Sequence, residues 1–205
     1  MKAPARTRQA GVVILTEEQK QETPSEKLPK ETEPEPQKQR LEPGGFALWP
    51  LSAAILFVGV IVDQLTKFWA VAALKPENYP YGGPGRIIVI IPEVFQLRYA
   101  ENRGAAFSIL QGQVGFLTVV SFIVAVVVAI WWTRAPADEK WGRLSLAMIL
   151  SGAIGNLIDR VFLGYVVDMF DTFIFGYDYP VFNIADSLIC VGVVILIVRA
   201  WQGKV

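Results

Sequence analysis

With no histidine anywhere in the chain, proton-transfer chemistry falls to carboxylates. Ser-His-Asp and Cys-His arrangements are excluded, and so is the commonest zinc ligand. The one cysteine, Cys190, lies inside an apolar run with no base beside it, and it reads as a packing residue. Two aspartates stand out. Asp168 follows Val166-Val167, and Asp186 lies in Phe182-Asn183-Ile184-Ala185-Asp186-Ser187. Brought together in a low-dielectric setting, two such carboxylates repel and one proton affinity rises. The pair then titrates as a unit and shares a proton near neutrality. The ionised member can take a proton from water, while the protonated one polarises a carbonyl and later protonates a leaving amine. That scheme calls for no metal and no cofactor. Each aspartate also has a plainer reading: Asp186 as a first-turn carboxylate of a helix capped by Asn183, and Asp168 as an exposed loop acid. Asp171 and Asp178 look dispensable.

Other polar clusters accompany them. Asp63 and Lys67 are four apart and share a helix face, either as an ion pair beside a site or as an interface anchor. In Asn102-Arg103-Gly104-Ala105-Ala106-Phe107 the small residues permit close backbone approach, and Asn102 offers both a donor and an acceptor. Gly152, Asn156 and Asp159 fall on one helical face, with Arg160 four residues after Asn156. Asp159 and Arg160 read as a structural pair, or Arg160 as a holder of a substrate carbonyl or phosphate.

These residues need elements to position them, and the hydropathy pattern supplies four. Residues 1–45 are rich in Glu, Lys, Gln and Pro and are expected to be a disordered polar tail. From residue 46 the 205-residue chain is overwhelmingly apolar, with spans expected at about 46–70, 114–132, 144–163 and 184–201. The six tryptophans lie near span ends, where amphipathic rings favour the interface. Every polar cluster then falls at the same end of the bundle, and ionisable groups at such depth are costly and usually functional.

Basic residues Arg134, Lys140 and Arg143 in the loop after the second span, and Arg199 and Lys204 at the C-terminus, predict that both termini are cytoplasmic. The stretch 71–113 is then external. Its β-branched run 87–92 and alternating run 94–99 predict two strands of a small sheet on the membrane surface. A second external segment, about 164–183, is aromatic-rich and reads as a loop over the site in contact with lipid or packed at the interface. The expected fold class is an all-α membrane protein of four transmembrane helices with a small extracytoplasmic β-sheet and that external loop.

Five ordered blocks, Asp63 to Lys67, Asn102 to Phe107, Gly155 to Arg160, Val166 to Asp168 and Phe182 to Ser187, closely resemble lipoprotein signal peptidase, also called signal peptidase II. The likeness covers roughly 46–201, and only the 1–45 tail departs from it. The resemblance implies a four-helix peptidase domain over 46–205. Its activity would be that of an aspartyl endopeptidase of the bacterial inner membrane, cutting diacylglyceryl-modified prolipoproteins on the amino side of the lipidated cysteine. By position, Asp168 and Asp186 match the family's catalytic dyad. Asn102, Asn156, Arg160 and Asn183 match pocket residues, Asp63 and Lys67 its first motif, and Gly104 and Asp159 lie within matching blocks. Implied partners are the prolipoprotein, membrane lipids and globomycin-type cyclic peptide inhibitors, with no nucleic acid, and the chain is expected to be monomeric. The rival readings are a small polytopic transporter, which would place charges at mid-bilayer in repeated broken helices, and a scaffold whose polar clusters glue helices together.

Overall fold

A computed structural model describes residues 49–80, 85–104, 110–136 and 139–203. The tail expected over 1–45, and Ala105-Ala106-Phe107 of the second block, lie outside the described residues. Four helices form where the long apolar runs stand: α1 (Trp49–Leu74), α2 (Val114–Arg134), α3 (Lys140–Phe162) and α4 (Ile184–Trp201). Each is long and apolar enough to cross a membrane. In lipid the backbone has no water to bond, so a helix that satisfies its own N–H and C=O groups is the solution for an isolated span. The third span starts earlier than the charge of Arg143 suggested. Arg143 lies inside α3, 3% exposed, and donates to the carbonyl of Ala135.

α3 is the bundle's centre. Of its most apolar stretch 61% is buried, against 22%, 17% and 11% for α1, α2 and α4. Leu146, Ala147, Leu150 and Ala153 form the core with Leu56 of α1 and Ala125 and Val128 of α2. Small residues bring the backbones together. A methyl group added at Gly152 would meet the carbonyl oxygen of Ala185, and one at Gly192 would lie 2.7 Å from the carbonyl oxygen of Ser145.

A four-stranded antiparallel sheet caps one end of the bundle in the order β1 (Ile88–Ile91), β2 (Phe95–Asn102), β3 (Val166–Ile174), β4 (Tyr177–Phe182). The first two strands were expected. The segment 164–183, expected as a loop, is instead mostly the β3–β4 hairpin. Phe175 and Gly176 both carry positive φ, 51° and 82°, the backbone of a two-residue hairpin turn. Several of its aromatics pack on one another, with Phe170 and Phe182 ring centroids 5.6 Å apart and Tyr179 and Phe182 5.9 Å apart. One face of the sheet, through Tyr99, Val167 and Met169, packs on Ala70 and Leu74 at the end of α1. The junction is reinforced by Lys75. Its ammonium lies 5.5, 5.1 and 5.9 Å from the ring centroids of Tyr79, Tyr99 and Tyr165, and 3.3 Å from Glu101 Oε1.

Candidate active site

The start of α4 is built by two carboxylates and an asparagine. Asn183 Oδ1 accepts the Asp186 N–H at 2.9 Å, while Asp186 Oδ2 accepts the Asn183 N–H at 3.3 Å, a reciprocal capping box. Asp63 Oδ1 accepts the next free donor, the Ala185 N–H, at 2.9 Å. Asp63 of α1 therefore holds the helix that carries Asp186.

Its other oxygen meets Lys67 Nζ at 2.9 Å, and the same ammonium reaches Asp159 Oδ2 at 3.0 Å and Asn156 Oδ1 at 2.9 Å. Lys67 is 3% exposed and Asp63 is fully buried, so this cation is desolvated between two anions and an amide oxygen. Gln64, which sequence reasoning passed over, donates to Asp159 Oδ1 at 3.1 Å and to Gly155 O at 3.2 Å. The only signal for it was its polarity inside an apolar span. Gly155 has no room for a side chain, because a Cβ there would meet Asp63 Oδ2. Of the two readings open for Asp159 and Arg160, the ion pair between them does not form among the described residues. Asp159 bonds Lys67 and accepts the Val167 N–H at 3.0 Å, which fixes the strand beside Asp168. Arg160 reaches instead across to Gly104 O at 3.3 Å and back to Asn156 O at 3.4 Å.

Two asparagines link the acid pair. Asn183 Nδ2 donates to Asp168 Oδ1 at 2.7 Å and to Asn156 Oδ1 at 3.1 Å, and Asn156 Nδ2 donates to Asp186 Oδ1 at 2.7 Å. Asn102 also bonds Asp168, and its Oδ1 accepts the Gly104 N–H at 3.0 Å. Burial, and then the charge of Asp186, push the Asp168 carboxyl from 3.8 up to about 7, against the hydrogen bonds from Asn102 and Asn183 and the charge of Lys67. Asp171 is not dispensable to the fold. It is 1% exposed and accepts Arg98 Nε at 2.6 Å and Gln96 Nε2 at 2.7 Å. Among the described residues no cluster of three or more metal-ligating side chains occurs.

Asp168 and Asp186 border a cavity of about 810 Å³. α2 and α4 each pack along α3, and the space between them forms an apolar arm lined by Leu117, Val120, Val124, Ala153, Ile189 and Cys190. Cys190 thus faces the cavity rather than packing in the core. A second arm runs under β2 and β4, past Arg98, Asn102 and Tyr179.

Fold and site together define a multi-pass membrane protein with an acid pair at one end of its helical bundle. Comparison with known proteins narrows this. A family profile described as signal peptidase (SPase) II matches residues 55–202. The lipoprotein signal peptidase of Lactococcus lactis subsp. cremoris is 43% identical over 154 residues, covering 75% of this chain and 95% of the relative. That of Vibrio campbellii is 40% identical over 160 residues, covering 76% and 89%. Two solved structures described as bacterial membrane enzymes are similar in fold. One has a TM-score of 0.65 at 33% identity, covering 75% of this chain and 88% of its own, and the other 0.63 at 32%, covering 74% and 92%. The chain belongs to the signal peptidase II family and is a protease.

Proposed function

We propose that this protein removes signal peptides from lipid-modified prolipoproteins, cutting on the amino side of a diacylglyceryl-cysteine, with Asp168 and Asp186 as the catalytic pair. The observation that carries the reading is the acid pair, bridged by Asn156 and Asn183, on a cavity that has one apolar arm between helices and one arm under a sheet. A signal peptide is an apolar helix that leaves the bilayer at its cleavage point, and the two arms suit its two halves. The peptidase unit is residues 46–205. It works as a monomer in the bacterial inner membrane with both termini cytoplasmic and the site near the outer leaflet, contacts membrane lipids, and takes globomycin-type cyclic peptides as inhibitors in the same cavity.

Asp168 is assigned the proton and Asp186 the role of base. Asp186 takes a proton from water as the water oxygen adds to the carbonyl carbon before the cysteine. Asp168 donates to the carbonyl oxygen. Collapse breaks the C–N bond, re-forms the carbonyl, and delivers a proton to the cysteine's departing amine, leaving one carboxyl and one carboxylate as at the start. Asn102, Asn156 and Asn183 hold the two acids in register, Gly104 and Arg160 shape the adjoining wall, and Asp63, Lys67 and Asp159 support them from behind.

Asp168→Asn and Asp186→Asn, each purified in detergent, are expected to stay folded and to lose cleavage of a diacylglyceryl prolipoprotein by about two to four orders of magnitude. Substantial cleavage by both variants would refute the assignment.

A further inference from the structure

β2 turns Arg98, Ala100 and Asn102 toward the cavity. Ala100 lies opposite Asp168 in the β2–β3 register, and Arg98 lies two residues before it, where that register shifts between Leu97 and Ala100. Both border the cavity, so Arg98 stands beyond the acid pair by up to about 7 Å of strand. Its guanidinium is held from behind. Nε donates to Asp171 Oδ2 at 2.6 Å, and Gln96 braces the same oxygen at 2.7 Å. Asp171 is buried, so the bond is not free to swing in water. The terminal nitrogens of Arg98 have no partner among the described residues, and the side chain is 34% exposed. An arginine anchored through Nε keeps its remaining fork free and pre-ordered for an acceptor.

Direction comes from the two arms. Ile189 and Cys190, on the turn of α4 after Asp186, line the apolar arm, which therefore runs along the helices away from the sheet. A chain crossing the acid pair out of the bilayer leaves its upstream apolar residues there and passes its downstream residues in front of β2. Two residues of extended chain cover about 7 Å, which sets the residue after the modified cysteine against Arg98.

We propose that Arg98 is a specificity residue that favours an acidic side chain immediately after the lipid-modified cysteine of the substrate. The proposal rests on the peptidase reading above. The other charges lining this cavity are Arg160, Asp168 and Asp186 around the cleavage point, and Glu101 and Asp178. Glu101 is already engaged by Arg103 at 2.8 Å and Lys75 at 3.3 Å. Asp178 is exposed on β4 and acts as a weak opposing charge.

The test uses the full chain in nanodiscs and diacylglyceryl peptides identical but for Asp, Asn or Lys after the cysteine. Wild type is expected to rank them Asp, Asn, Lys by kcat/KM, with Asp over Asn by about three- to fivefold, the size of a half-exposed ion pair. Arg98→Gln is expected to bring Asp and Asn within about twofold, read as the ratio of the two peptides within the variant so that a loss common to both cancels. Asp178→Asn is expected to widen the wild-type preference. A wild-type profile flat across Asp, Asn and Lys overturns the proposal whether or not the Arg98 variant folds, and so does an Arg98→Gln profile with the Asp preference intact. Cleavage of none of the three peptides by wild type overturns the peptidase reading itself.

Discussion

Lys67 illustrates how much one residue carries. Its ammonium is the shared counter-charge of Asp63 and Asp159 and a donor to Asn156, all out of water. Lys67→Met leaves two buried carboxylates uncompensated, and the expected loss is about 3–5 kcal/mol of stability, read as a lower melting temperature in detergent. In the proposed mechanism Asp168 sets the pH response. There its carboxyl, raised to about 7, donates a proton, so kcat/KM is expected to fall as pH rises through that region. Asn102 holds this proton affinity down, so Asn102→Ala is expected to move the alkaline limb to higher pH. Stability follows the same sign. With the folded value above the ordinary 3.8, the folded state loses its advantage as pH climbs between the two values. Asp168→Asn removes that dependence, and its melting temperature is expected to gain on wild type more at about pH 8 than at about pH 5.

At the level of elements, α3 is the spine and its glycines are contact points. Gly152 faces the carbonyl of Ala185, one residue before Asp186, and Gly155 faces the Asp63 carboxylate that holds α4. Gly152→Ala and Gly155→Ala are each expected to cost about 1–3 kcal/mol by overpacking, with activity falling more than the stability loss explains, because α4 carries Asp186. Gly115, in the first turn of α2, has nothing near its Cβ direction. Gly115→Ala is the control and is expected to be neutral or to stabilise by up to about 1 kcal/mol. Melting curves beside kcat/KM for the three variants check this. The sheet shows where the sequence was less readable. β1 and β2 announced themselves through β-branched residues and alternation. β3 and β4 did not, because neither alternates polar with apolar along its length and Asp171, which reads as a surface acid, is buried against Arg98 and Gln96.

For the molecule as a whole, the helices define the membrane and the exposed apolar surface follows it. Phe57, Phe68, Val119, Phe122 and Ile197 are all more than half exposed, as lipid-facing side chains are. The proposed orientation puts Phe175, fully exposed at the hairpin tip, on the outer side and Gln202 on the inner side. In a Cys190→Ser background, Phe175→Cys is expected to react with a membrane-impermeant maleimide on intact spheroplasts, and Gln202→Cys only after permeabilisation. The opposite pattern would invert the protein in the bilayer.

Spans, their order and the gathering of polar blocks at one end were legible from the chain alone. Hydropathy is a local property, and lipid enforces helix on any long apolar run. The capping of α4 by Asn183 was legible for the same reason, since it acts within four residues. Partners across elements were not. That Asp63 bonds the Ala185 N–H, that Lys67 serves Asp159, and that Arg160 turns to Gly104 instead of its neighbour depend on how α1, α3, α4 and the sheet dock. That docking is set by glycine contacts and buried volume, which residue order does not display. Tertiary packing alone brought Asn156 and Asn183 between the two acids and gave Asp168 its raised proton affinity.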